Sequence, residues 1–174
     1  MAVPMSARDR SNNFLKGLLG RDIVKFMLEG SGYTVCSYSY EDTLLDAMSK
    51  RTSETSNSCT GRRLRKSPDL LVYDEKNIML VEVKTRGNPR PYIRTDEINA
   101  LKEFWNDSIL IFVVPNDIVF YAKKTEELKA SEPNCYVYLN MSEFQKLEDI
   151  FTRVNSEDIA HYREIMKKIL QIFN

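Results

Sequence analysis

The apolar and polar positions divide the chain into short segments of two periods. "RDIVKFMLEGSG" (21–32) sets Ile23, Val24, Met27 and Leu28 at helical spacing and closes on glycines, which predicts a helix stopping at Gly30 or Gly32. "YTVCSYSY" (33–40) is β-branched and aromatic and reads as a strand. "EDTLLDAM" has the spacing of a short helix, and "SKRTSETSNSCTG" (49–61) is a Ser/Thr-rich flexible loop. Two apolar runs then flank a polar turn in "PDLLVYDEKNIMLVEVKTR" (68–86), a hairpin pattern. "TDEINALKEFW" (95–105) puts Ile98, Leu101 and Trp105 on one helical face, with Thr95 as N-cap. "SILIFVVP", "DIVFYA" and "NCYVYLN" read as strands; "SEFQKLEDIF" and "SEDIAHYREIMKKILQIF" read as amphipathic helices. Residues 1–13 are polar and read as a disordered terminus. The whole predicts an α/β fold in one domain spanning residues 1–174, with a mixed sheet of about five strands flanked by helices.

Composition narrows the partners. The formal net charge is zero, so any nucleic acid must be held by a local basic patch rather than by the overall field. Cys36, Cys59 and Cys135 are odd in number and lack metal-ligand spacing, and His161 is the single histidine. That set argues against a zinc site and against histidine-centred chemistry, and it suits a reducing compartment. The longest apolar run, Ile109 to Val114, is strand-sized and too short to span a membrane, and "MAVPMSARDRSNN" lacks the apolar segment of a signal peptide. The expectation is a cytoplasmic domain with no membrane partner.

The hairpin carries charges where an apolar strand pair should have none. With Glu75–Lys76 as the two-residue turn, opposed residue numbers sum to 151, and Asp69 faces Glu82. Directly opposed side chains have Cβ atoms about 4.5–5.5 Å apart, so two carboxylates there repel. A divalent cation between them removes the repulsion, and Mg²⁺ typically takes one or two carboxylates plus water and phosphate oxygens. Lys84 projects from the same face, one step along the strand from Glu82. The alternative is plainer: Asp69 caps the turn after Pro68, and Glu82 and Lys84 lie at a solvated strand end. A slip of one residue would also move Asp69 to the other face.

Pro68-Asp69, twelve intervening residues, then Glu82-Val83-Lys84 resembles the signature of the PD-(D/E)xK nuclease superfamily. The helix ending in "GYTV" and the strand "ILIFVVP" beyond the motif make residues 20–122 similar to its Holliday-junction-resolvase-like, restriction-endonuclease-like branch. The resemblance implies an α-β-β-β-α-β core, with residues 123–174 adding extra C-terminal helices. It implies a metal-dependent DNA endonuclease using Mg²⁺ or Mn²⁺ on branched or duplex DNA. Asp69 and Glu82 would be metal ligands, with the Val83 backbone carbonyl completing the shell, and Lys84 would orient or activate the attacking water. Such resolvases carry a glutamate on the first helix, and that position falls on Gly20 here. Asp22 is the nearest substitute, although its helix face is the one opposite Ile23 and Val24. The glutamine that the branch carries on its second helix is matched by Glu97.

Basic residues flank the motif. Arg62, Arg63, Arg65 and Lys66 precede it, and Arg86, Arg90 and Arg94 follow it. Phosphate contacts are what such side chains supply, so all seven are candidate DNA contacts, against the alternative of a solvated basic loop. Tyr92 can stack on a base or pack on the surface. A catalytically silent DNA-binding domain and a protein-interaction domain docking through the last helix are the competing readings. Cutting both strands of a duplex or junction needs two sites, which points to a homodimer.

Overall fold

Every residue of the strand Ile109–Val114 is buried, so it must be covered on both faces, and the fold is arranged around it. The computed structural model describes residues 7–39, 58–86, 91–115, 118–132 and 135–172. In chain order the elements are α1 (Ala7–Gly30), β1 (Thr34–Ser37), α2 (Cys59–Arg65), β2 (Leu70–Tyr73), β3 (Ile78–Thr85) and β4 (Tyr92–Arg94). There follow α3 (Thr95–Phe104), β5 (Ile109–Val114), β6 (Val119–Lys124), β7 (Tyr136–Tyr138), β8 (Gln145–Lys146), α4 (Leu147–Ile150) and α5 (Ser156–Ile172). Six strands form one sheet in the order β1-β2-β3-β5-β6-β8, and β4 pairs with β7 in a separate ribbon. β3 and β5 are parallel, while the other neighbours in the sheet are antiparallel.

The hairpin turn is built by Asp74. Its Oδ1 accepts from the backbone N–H groups of Lys76 and Asn77, both at 2.7 Å, while its own N–H donates to the Asn77 carbonyl. This pins the turn at Glu75–Lys76, and the pairs Leu70↔Val81 and Val72↔Met79 keep the expected sum. On one face of the sheet, Ile23, Val24, Met27 and Leu28 of α1 join Leu70, Val72, Val81, Val83 and Ile111 in a buried cluster. On the other face, Ile93, Ile98, Leu101, Leu110, Phe112 and Leu128 form a second cluster under α3 and the ribbon.

Several expectations change in detail. α1 begins at Ala7, so residues 7–13, read as disordered, are helical. The basic segment is not a loop: Ser58 accepts from the Gly61 N–H at 3.0 Å and caps α2, which takes in residues 59–61 of the expected loop. "EDTLLDAM" and residues 49–57 lie outside the described residues. "NCYVYLN" supplies a strand, but to the ribbon and not to the central sheet. Ile159, Tyr162, Ile165 and Leu170 of α5 pack against the first cluster, and Met166 is fully buried, so this apolar face is spent inside the molecule. Among the described residues no helix is long and apolar enough to cross a membrane.

Candidate active site

Asp69 stands directly before β2, held in line with the sheet because its carbonyl accepts from the Tyr38 N–H at 2.8 Å. Its carboxylate Oδ2 accepts from the Val83 N–H across the hairpin, also at 2.8 Å. Glu82 and Lys84 occupy alternate positions of β3, in register with Leu110 and Phe112 of β5, and so point to the α3 side. Glu82 is 9% exposed, and its Oε1 lies 2.5 Å from the Lys84 ammonium. From the first turn of α3, Glu97 Oε2 reaches within 3.7 Å of Lys84 and 3.9 Å of Arg86. The site thus sets two acids, Asp69 and Glu82, side by side and then alternates base and acid through Lys84 and Glu97 to Arg86.

Burial and the neighbouring Glu82 push the Asp69 carboxyl up to about 7, despite the Val83 hydrogen bond and the charges of Lys84 and Arg21. Burial works against the Lys84 ammonium, but Glu82 and Glu97 outweigh it and hold its pKa above the usual lysine value. Two carboxylates forced together, one of them driven toward its neutral form, make a donor set that fits a hard divalent cation. Val83 lines the cavity onto which Asp69 and Glu82 open. Among the described residues no group of three His, Cys, Asp or Glu side chains is placed to hold a metal. Few acids suffice for an ion that also takes water and phosphate oxygens.

These groups open into a cavity of about 490 Å³ lined by Asp69, Glu82, Lys84 and Arg86, with Arg21 of α1 and Arg65 of α2 at its walls. Lys66 joins Glu82, Lys84 and Glu97 around a smaller cavity of about 140 Å³. Arg62 lines a neighbouring groove with Arg65 and Lys66 between α2 and α3. Arg63 turns away and lies 4.8 Å over the Trp105 ring. Arg94 is half-exposed and paired with Asp96 at 2.9 Å, outside the cavity. Arg90 lies outside the described residues.

Asp22 does not join the site. Its carboxylate is 49% exposed, meets Arg21 Nε at 3.5 Å and lines none of these cavities. Gly20, at the position matched to the resolvase glutamate, sits so close to β3 that a Cβ there would come within 1.9 Å of Thr85 Oγ1. The glycine lets α1 approach the end of β3, and no side chain fits in that space. Sequence reasoning missed Arg21. The spacing Phe14, Leu18, Arg21 repeats at three and four residues and all three line the cavity, so helical periodicity carried the signal.

The sequence profile of the archaeal Holliday junction resolvases (Hjc) matches residues 40–159. The chain belongs to the Hjc family. The match takes in the hairpin, α2, α3 and β5, and it starts after α1, the helix that departs from the resolvase pattern at Gly20. Among solved structures the fold is similar to that of Hjc from Archaeoglobus fulgidus, a Holliday junction resolvase from an archaeal hyperthermophile. The TM-score is 0.52 at 13% identity, over 79% of this chain and 96% of that one. A search of the curated proteins found no match. The Hjc family falls within the PD-(D/E)xK superfamily, whose resolvases use divalent metals. The chain is accordingly a nuclease of a family that acts on branched DNA.

Proposed function

We propose that Asp69, Glu82 and Lys84 are the catalytic centre of a Mg²⁺- or Mn²⁺-dependent endonuclease that hydrolyses phosphodiester bonds in branched DNA. The observation that carries this reading is the opposed pair Asp69 and Glu82 beside Lys84, all lining one basic-walled cavity. Asp69, Glu82 and the Val83 carbonyl would hold a divalent cation, which would supply Lewis-acid activation of water and neutralisation of charge at the scissile phosphate. Lys84, kept cationic by Glu82 and Glu97, stabilises the charge that builds on the phosphate oxygens. Glu97 also draws Arg86 toward the cavity, where its guanidinium is placed for a flanking phosphate. Two copies of the chain supply the two centres that two cuts require, and Phe14, Leu15 and Phe26 of α1 are exposed apolar residues available to a homodimer. The test is a panel of labelled four-way, flap and linear DNAs with Mg²⁺, Mn²⁺ or EDTA. Paired cuts in the four-way DNA are expected, and they should disappear in EDTA; cutting that persists in EDTA would refute the metal requirement.

The raised Asp69 pKa has a consequence for the metal-free protein. Because the folded value of about 7 exceeds the ordinary 3.8, the folded state holds this proton more tightly than the unfolded chain. The group's favourable contribution is complete at low pH and is lost as pH rises through about 7. In EDTA, Asp69→Asn should therefore gain stability relative to wild type as pH goes from 5 to 8, measured by denaturant unfolding. A constant difference across that range would show that Asp69 ionises normally.

A further inference from the structure

We propose that the outer face of the β4–β7 ribbon is a stacking platform for nucleobases exposed at the branch point of the DNA, an inference that builds on the nuclease reading above. Register defines the two faces. Ile93 opposes Val137 and packs inward on the second apolar cluster, while Tyr92 opposes Tyr138 and Arg94 opposes Tyr136 on the outer side. The outer face therefore carries three tyrosines and an arginine on a ribbon only three residues long per strand.

The tyrosines touch one another edge to face, with Tyr92 centred 5.0 Å from Tyr136 and 6.1 Å from Tyr138. Tyr136 and Tyr138 are nevertheless 55% and 65% exposed. The inward pair packs on the apolar cluster, whereas these two rings project into solvent. Aromatic faces left in water suit a ligand that brings its own flat apolar surface, and every base has such a face. In a continuous duplex those faces are covered by neighbouring pairs. At a branch point the stack is interrupted and base faces become available.

Two features tie this platform to DNA and to the active site. The Arg86 guanidinium lies 5.7 Å over the Tyr92 ring, and its Nε donates to the Tyr92 carbonyl at 3.4 Å. Arg86 in turn meets Glu97, which meets Lys84, so a short chain of contacts leads from the ribbon to the catalytic lysine. Arg94, half-exposed between Asp96 and the tyrosines, adds a second cation at the edge of the patch. A base stacked on the tyrosines would have its flanking phosphate beside Arg86, next to the cavity. The ribbon would thus help to choose where along a branched substrate the cut falls.

The test compares wild type, Tyr136→Ala/Tyr138→Ala and Tyr136→Phe/Tyr138→Phe, each binding a four-way DNA and a linear duplex in EDTA. The double-alanine variant should lose affinity for the four-way DNA by about tenfold or more. Its duplex affinity should change by less than about twofold, and the phenylalanine variant, which keeps the rings, should behave as wild type. A 2-aminopurine at the branch point should change emission on binding wild type and not on binding the alanine variant. Equal four-way affinity in all three proteins overturns the platform, as does equal loss on both DNAs. A change in oligomeric state by light scattering, with DNA binding intact, would assign the patch to a protein contact and overturn it too. Parallel cleavage assays in Mg²⁺ separate the two readings: a wild type that discriminates through its tyrosines but never cuts defeats the nuclease reading alone.

Discussion

Glu82→Ala and Asp69→Ala should each lower cleavage of four-way DNA by at least about 10³-fold, and Lys84→Ala by about 10²-fold. The two acids should carry the larger effect because, in the proposed centre, each supplies half of the acidic donor set, while Lys84 contributes electrostatically. Stability should respond differently. Asp69→Ala leaves the Val83 N–H without its acceptor, at a cost of roughly 1–3 kcal/mol. That cost is offset in part by removing a carboxyl whose ionised form is disfavoured there. Glu82→Ala strips the closest partner from Lys84 and leaves Glu97 at 3.7 Å, so some loss of stability is expected as well. Glu82→Gln keeps the shape and a hydrogen-bonding oxygen, and serves as the control: it should fold like wild type and still fail to cut. Wild-type rates in Glu82→Gln, measured under single-turnover conditions, would remove Glu82 from the chemistry.

The next largest effect belongs to α2. Each phosphate contact contributes about 0.9 to the slope of log affinity against log salt. Arg62, Arg65 and Lys66 face the grooves around the site, whereas Arg63 is occupied over Trp105. The triple substitution Arg62→Ala/Arg65→Ala/Lys66→Ala should therefore weaken DNA binding by roughly 10²-fold at physiological salt and reduce the slope by about two to three. Arg63→Ala alone should leave the slope nearly unchanged and lower the melting temperature, since it uncovers the nearly buried Trp105. Titrations of the same DNA at several salt concentrations check both statements. An unaltered slope in the triple variant would mean that α2 does not touch the DNA backbone.

The hairpin was readable because its determinants are local. Asp74 and Asn77 fix the turn, the turn fixes the register, and the register alone brings Asp69 opposite Glu82. The helix end at Gly30 and the buried strand Ile109–Val114 were readable for the same reason. α2 was not, because it has no apolar stripe: all of its residues are at least partly exposed, and it is held by the Ser58 cap and the stacking of Arg63 on Trp105. The β4–β7 ribbon was half legible: "NCYVYLN" read as a strand, but β4 has no pattern of its own, and Tyr92 and Tyr138 pair across more than forty residues. Arg21 and Glu97 reach the site from separate helices, Arg21 lining the larger cavity and Glu97 the smaller, and only packing brings them there. Arg62 and Arg63 show the limit of reading charge from sequence: adjacent arginines, one lining a groove and the other committed to a tryptophan.

We propose that Asp69 and Glu82 together hold the catalytic cation. Crystals grown with Mn²⁺ and measured near its absorption edge locate the ion directly by its anomalous signal. A peak is expected within about 2.0–2.3 Å of a carboxylate oxygen from each of Asp69 and Glu82, and it should be lost in Asp69→Ala crystals. A Mn²⁺ peak elsewhere in a protein that cuts four-way DNA, or the same peak persisting in Asp69→Ala, would contradict it.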